Sequence, residues 1–166
     1  MHNRQSRHQL WATVCLLASM LSSLLAAPAF AEIAAGCYSF QEKIDSLSGG
    51  ESKLMVSRLA IKAIGNGKFQ IKGVVHGANF HVCSIEGEAG PITMQADSKG
   101  LHYTEAVELG SKTLHCRFSI VKRKNELVLR DPDYVCSRYV FSCGARVGLD
   151  QISWALNSRK PIAQCK

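Results

Sequence analysis

Six cysteines, Cys37, Cys83, Cys116, Cys136, Cys143 and Cys165, punctuate the last 135 residues of this 166-residue chain and constrain its fold more than any other feature. An even set of thiols in so short a stretch reads as three disulfides, because a small core gains from cross-links worth about 2–4 kcal/mol each. Such density belongs to an oxidising compartment. Spacing alone leaves many pairings open. The expected set is Cys37–Cys165 as a clasp across the two ends, Cys83–Cys116 between strands, and Cys136–Cys143 within one loop. Only the last has a local argument, since its 6 intervening residues let the two Cα atoms come within disulfide reach. Zinc is the rival use of cysteine, but no C-x2-C pair occurs and no metal site is expected.

The seventh cysteine, Cys15, lies in a leader. Arg4 and Arg7 precede an apolar run from Leu10 to Ala27, followed by Pro28 and the small-residue triplet Ala29-Phe30-Ala31. Basic end, apolar middle and A-x-A site are the order of a secretory signal, so residues 1–31 are predicted to be removed and 32–166 to form one domain. No basic stop-transfer cluster follows, so a lasting membrane anchor ranks behind the signal. A lipoprotein signal reading of Ala34-Ala35-Gly36-Cys37 ranks third, and would withdraw Cys37 from any disulfide. The expected location is therefore periplasmic or secreted, with no stable membrane insertion after cleavage.

Within 32–166, apolar residues recur with period two, the mark of half-buried strands. Leu59, Ile61 and Ala63 share one parity, as do Phe69, Ile71, Gly73 and Val75. The pattern returns in Phe80, Val82 and Ser84, in Leu114, Cys116, Phe118 and Ile120, in Leu127 and Leu129, and in Ile152, Trp154 and Leu156. Gly65-Asn66-Gly67 is a strong hairpin signal; Asp97-Ser98-Lys99-Gly100, Arg123-Lys124-Asn125 and Asp131-Pro132-Asp133 are weaker turns. About seven to nine strands joined by short connections give an all-β, antiparallel meander that forms a small barrel or sandwich. One helix is expected, around Gln41 to Ser48.

After loss of the leader, 18 Lys and Arg stand against 13 Asp and Glu, a formal net charge of +5. The excess is concentrated late: residues 109–166 hold 11 basic and 4 acidic side chains. This suits solubility first and attraction of anionic envelope components second; Lys122-Arg123-Lys124 at a hairpin tip reads first as charges that keep a turn solvated and guard an edge from aggregation, with contact to such components the lesser reading. Nucleic acid is not an expected partner, for no basic-aromatic recognition motif is present.

Chemistry is sparse. The chain lacks the usual nucleophile, zincin and phosphate-loop motifs, so no enzyme activity, catalytic residue or cofactor is expected. His76 and His81 with Glu86 or Glu105 form the weak metal alternative, and Glu86 with Glu88 reads as a solvated pair on one strand face. The candidate binding residues are Arg138, Tyr139, Phe141 and Arg146, in and just after the cysteine-bounded loop 136–143. Arg and Tyr are enriched at interface hot spots, and a constrained loop loses less entropy on binding. The competing reading has Tyr139, Val140 and Phe141 turned inward to plug an open barrel end. A further alternative for the whole domain is a barrel that holds an apolar or amphipathic small molecule inside.

Cys136, Cys143-Gly144-Ala145-Arg146 and Gly148-Leu149-Asp150, with Cys83 ahead of Glu86-Gly87-Glu88-Ala89, together resemble a loose group of small exported bacterial proteins. The resemblance covers about residues 80–154. It implies an inhibitor of lysozyme type or an immunity protein against a cell-wall toxin, acting on a cell-envelope enzyme. A domain of +5 would repel a cationic target, so the partner is expected to be acidic or neutral.

Overall fold

The computed structural model describes residues 33–47, 49–93, 99–145 and 147–166. The predicted signal peptide, Arg146 and the turn residues Asp97 and Ser98 lie outside them. Nine strands follow in order: β1 (Gly36–Ile44), β2 (Lys53–Gly65), β3 (Lys68–His76), β4 (Val82–Thr93), β5 (Lys99–Leu109), β6 (Lys112–Arg123), β7 (Glu126–Arg130), β8 (Ser142–Cys143) and β9 (Ser153–Ala155). All neighbours pair antiparallel, in the sheet order β1-β2-β3-β4-β5-β6-β7-β9, with β8 on β4. This meander is a nearly closed barrel. Its seam is drawn together where Cys37 and Lys160 exchange two backbone hydrogen bonds of 2.8 Å, and where the Phe40 and Trp154 rings meet at 5.7 Å.

The alternation explains most of this. Leu59 and Ile61 of β2, Ile71 and Val75 of β3, Cys116, Phe118 and Ile120 of β6, Leu127 and Leu129 of β7, and Trp154 of β9 all point inward and are buried. The β2–β3 hairpin turns at Asn66 and Gly67, with φ of 51° and 70°, a pair of left-handed residues that matches the twist of the strands they join. Lys124 (φ 44°) turns the β6–β7 hairpin, and Pro132 sits in a turn closed by the Tyr134 amide on the Asp131 carbonyl at 3.0 Å.

Two expectations fail. The stretch expected to be helical is strand as far as Ile44, because Gln41, Glu42, Lys43 and Ile44 ladder onto Val56, Met55, Leu54 and Lys53. Local charge pattern gave way there to the apolar parity of Tyr38 and Ile44, both buried. In β4 the predicted inward set Phe80, Val82 and Ser84 is out of phase. Phe80 (φ 60°) ends a 3-10 turn, Ala78–Phe80, so the strand begins at Val82 and pairs Cys83 with Val75 and Ile85 with Gly73. Cys83, Ile85 and Ala89 therefore face inward, and Val82 is 39% exposed.

Candidate functional site

The disulfides decide the shape of the site. Cys37–Cys165 joins the ends of the domain as expected. The other two pairs differ from the expectation: Cys83 bonds Cys143, and Cys116 bonds Cys136, with Cα separations of 3.8 and 4.6 Å. The local argument for Cys136–Cys143 fails because the residues between them are not a simple loop. Cys136–Val140 form one π-helical turn that carries Cys136 onto β6, and the chain then extends into β8, which places Cys143 beside Cys83 of β4. Cys37, which the lipoprotein reading would withdraw from any disulfide, is bonded to Cys165.

The segment 131–150 leaves the barrel between β7 and β9 and is tied down at its base. Asp131, 1% exposed, lies under the turn, and its carboxylate accepts the amides of Cys136 (3.3 Å) and Ser137 (2.9 Å). Asp150 accepts from Arg130 Nε (3.1 Å), the Asp131 amide (3.0 Å) and Gln151 Nε2 (3.2 Å). Burial pulls the Asp150 carboxyl upward, but these three donors together hold it below the usual carboxylate range. Tyr134 is held in the left-handed region at φ 55°, a strained conformation for so bulky a residue; its carbonyl accepts the Arg138 amide (3.1 Å) and the Ser137 hydroxyl (3.3 Å).

Each candidate residue now has a place. Phe141 is buried: it packs against Phe118 at 5.3 Å and Tyr103 at 5.5 Å, so it is a core side chain and not an exposed contact. Phe141 and Val140 thus turn inward, as the plug reading expects of them, but at a gap in the wall between β4 and β5 and without Tyr139. Arg138 and Tyr139 point the other way and are exposed, Tyr139 to 47%. Arg146 lies outside the described residues.

The structure adds residues that sequence reasoning missed. A surface cavity of about 530 Å³ is lined by Tyr134, Ser137, Arg138, Gly144, Val147 and Gly148, among others. Tyr134 is as exposed as Tyr139. The Gly144 amide donates to the Val82 carbonyl (2.8 Å), and a Cβ on Gly144 would fall 2.7 Å from His81 Nδ1, so glycine is what lets the loop lie against His81. The only sequence signal for Tyr134 was its place just after Asp131-Pro132-Asp133.

The weighed metal set is not assembled. Glu86 pairs with Lys72 (3.2 Å) and Glu88 with Lys68 (3.7 Å) on the barrel exterior, while Glu105 accepts the Tyr103 hydroxyl. Among the described residues no three His, Cys, Asp or Glu side chains stand together as metal ligands. Also among them, no helix is long and apolar enough to cross a membrane. Comparison with protein-family models, with curated proteins and with solved structures finds no match.

Proposed function

We propose that the chain is an exported, non-enzymatic binding protein of the periplasm or cell exterior, which docks an envelope enzyme as an inhibitor or immunity factor through Tyr134, Arg138 and Tyr139. One observation carries this reading: the loop is inserted into the barrel by Phe141, fixed at both ends by disulfides, and still turns Arg138 and Tyr139 outward next to exposed Tyr134, with Tyr134 and Arg138 lining a cavity. Those are hot-spot side chains on a scaffold that has little ordering left to do on binding. The Ser137 hydroxyl among them donates to the Tyr134 carbonyl at 3.3 Å and so helps to hold the turn.

The test is a photo-crosslinking residue in place of Tyr139, used in envelope extract of the producing cell. A single partner should be captured, and Arg138→Ala with Tyr134→Ala should weaken its binding by about 30-fold or more while the melting temperature stays that of the parent. Unchanged capture by that variant would remove these residues from the interface.

One observation favours a ligand inside the barrel. The Trp154 indole N–H is buried without an acceptor. The interior is nevertheless filled around it by Tyr38, Phe118, Leu59, Ile120 and Leu129, all at most 1% exposed. Native mass spectrometry decides this reading: an added mass would support it and a bare chain would reject it.

A further inference from the structure

The register sorts the charges between the two ends of the barrel. β1 begins, β2 and β6 end, and β9 ends at one and the same end. The β6–β7 hairpin tip there carries Lys122, Arg123 and Lys124. The segment after β9 is hydrogen-bonded to that tip, Leu156 amide to Asn125 carbonyl at 2.7 Å, and carries Arg159 and Lys160. Five cations thus stand at one end of the barrel. The hairpin cations line a broad, shallow groove of about 810 Å³ with Ser153 and Ala155, and the acid lining it is Glu126.

The late acids are mostly elsewhere. Asp133 pairs with Arg117 at 2.6 Å and Asp150 with Arg130 at 3.1 Å, both at the opposite end with the binding loop, where Asp131 is sunk under amides. The positive excess of residues 109–166 therefore gathers at the β6–β7 end.

We propose that this end of the barrel is a docking surface for an anionic phospholipid bilayer, held by headgroup phosphates on Arg123, Lys124, Arg159 and Lys160. A bilayer fits better than a soluble polyanion because two exposed apolar side chains, Ile64 near the end of β2 and Ile162 in the turn that leads to Cys165, accompany the cations at this end, where a lipid interface can take them in. Attachment is peripheral and electrostatic, at about fivefold in affinity per cation, and the loop with Arg138 and Tyr139 is left facing away from the lipid.

The experiment uses residues 32–166, one compact unit that holds the nine strands and three disulfides of the described residues. Flotation is measured with vesicles of phosphatidylcholine alone and of phosphatidylcholine with about 30% phosphatidylglycerol, in low and in raised salt. Binding is expected only on the anionic vesicles, with loss in raised salt, and Arg123→Glu with Lys124→Glu and Lys160→Glu should weaken it at least about 100-fold. The neutral set Arg123→Gln, Lys124→Gln and Lys160→Gln guards against misfolding and should weaken it in the same direction. The proposal is overturned if the parent ignores anionic vesicles in low salt, if both variant sets float like the parent, or if dextran sulfate binds while vesicles do not. Tyr134→Ala with Arg138→Ala should float as the parent does, which keeps this test separate from that of the binding loop.

Discussion

Asp131 is the side chain on which the shape of the binding loop should depend most. Its carboxylate holds two backbone amides, Cys136 at 3.3 Å and Ser137 at 2.9 Å, at a site that is 1% exposed. In Asp131→Ala neither amide has another acceptor within the turn, and each buried donor left unpaired costs about 1–3 kcal/mol. Relief of the buried charge returns part of this, so a net loss of about 2–4 kcal/mol is expected. For a domain of this size that is a fall in melting temperature of roughly 6–12 °C. Asp131→Asn keeps one carbonyl oxygen for one amide but turns an NH2 group at the other, and should fall between the parent and the alanine variant. Calorimetry gives the stabilities, and hydrogen exchange at Cys136 and Ser137 reports the two bonds directly. The reasoning is refuted if Asp131→Ala melts within about 1 °C of the parent, or if the two amides keep their protection.

Three further outcomes follow from other parts of the barrel. Burial, with the hydrogen bond to Glu105 and its charge, pushes the Tyr103 phenol up to about 12 from 10.0, so the folded state retains a proton that the unfolded chain gives up. Its contribution is complete below about pH 10 and is lost as the pH rises toward 12; urea titrations at pH 9, 10.5 and 12 should show this decline in the parent and a flatter one in Tyr103→Phe. A Cβ on Gly87 would meet the Tyr103 ring at 2.5 Å, so Gly87→Ala should cost about 1–3 kcal/mol, and a melting temperature equal to the parent's would show that the ring is not seated there. Cys37–Cys165 spans 128 residues, and on chain-entropy grounds Cys37→Ala with Cys165→Ala should lose up to about 5 kcal/mol in a denaturant titration, while peptide mapping should recover Cys83 with Cys143 and Cys116 with Cys136.

What the sequence disclosed was whatever depends on period and turn chemistry. Leu59, Ile61, Ile71 and Val75 were placed inside by alternation because each strand runs unbroken from a turn that glycine or asparagine marks. The phase was lost at Phe80 because a 3-10 turn takes up residues that alternation would count as strand, and a slip of one residue reverses every side chain after it. The cysteine pairing was illegible for a related reason. Six intervening residues permit a local bond, but only the sheet register, Cys83 opposite Cys143, decides which sulfurs meet. Of the predicted contacts, Arg138 and Tyr139 are exposed, whereas an aromatic such as Phe141, strapped between two cysteines, faces in or out according to whether the barrel leaves a gap for it.

That gap has a definite origin. β4 pairs with β3 over its first eight residues, Val82 to Ala89, but meets β5 only from Gly90 to Thr93. Before Gly90 the two strands part, and β8 takes the place of β5 beside Cys83 and Ser84. Phe141 enters through this opening and rests on Tyr103 of β5 and Phe118 of β6, while Cys143 ties one end of the loop to β4 and Cys136 ties the other to β6. The loop is thus part of the wall of the barrel, and its outward face cannot rearrange without opening the core. This is why Arg138 and Tyr134 offer a partner a surface already set in shape, and why substitutions beneath that surface, at Asp131 or Phe141, should impair binding through the same loss of order that lowers stability.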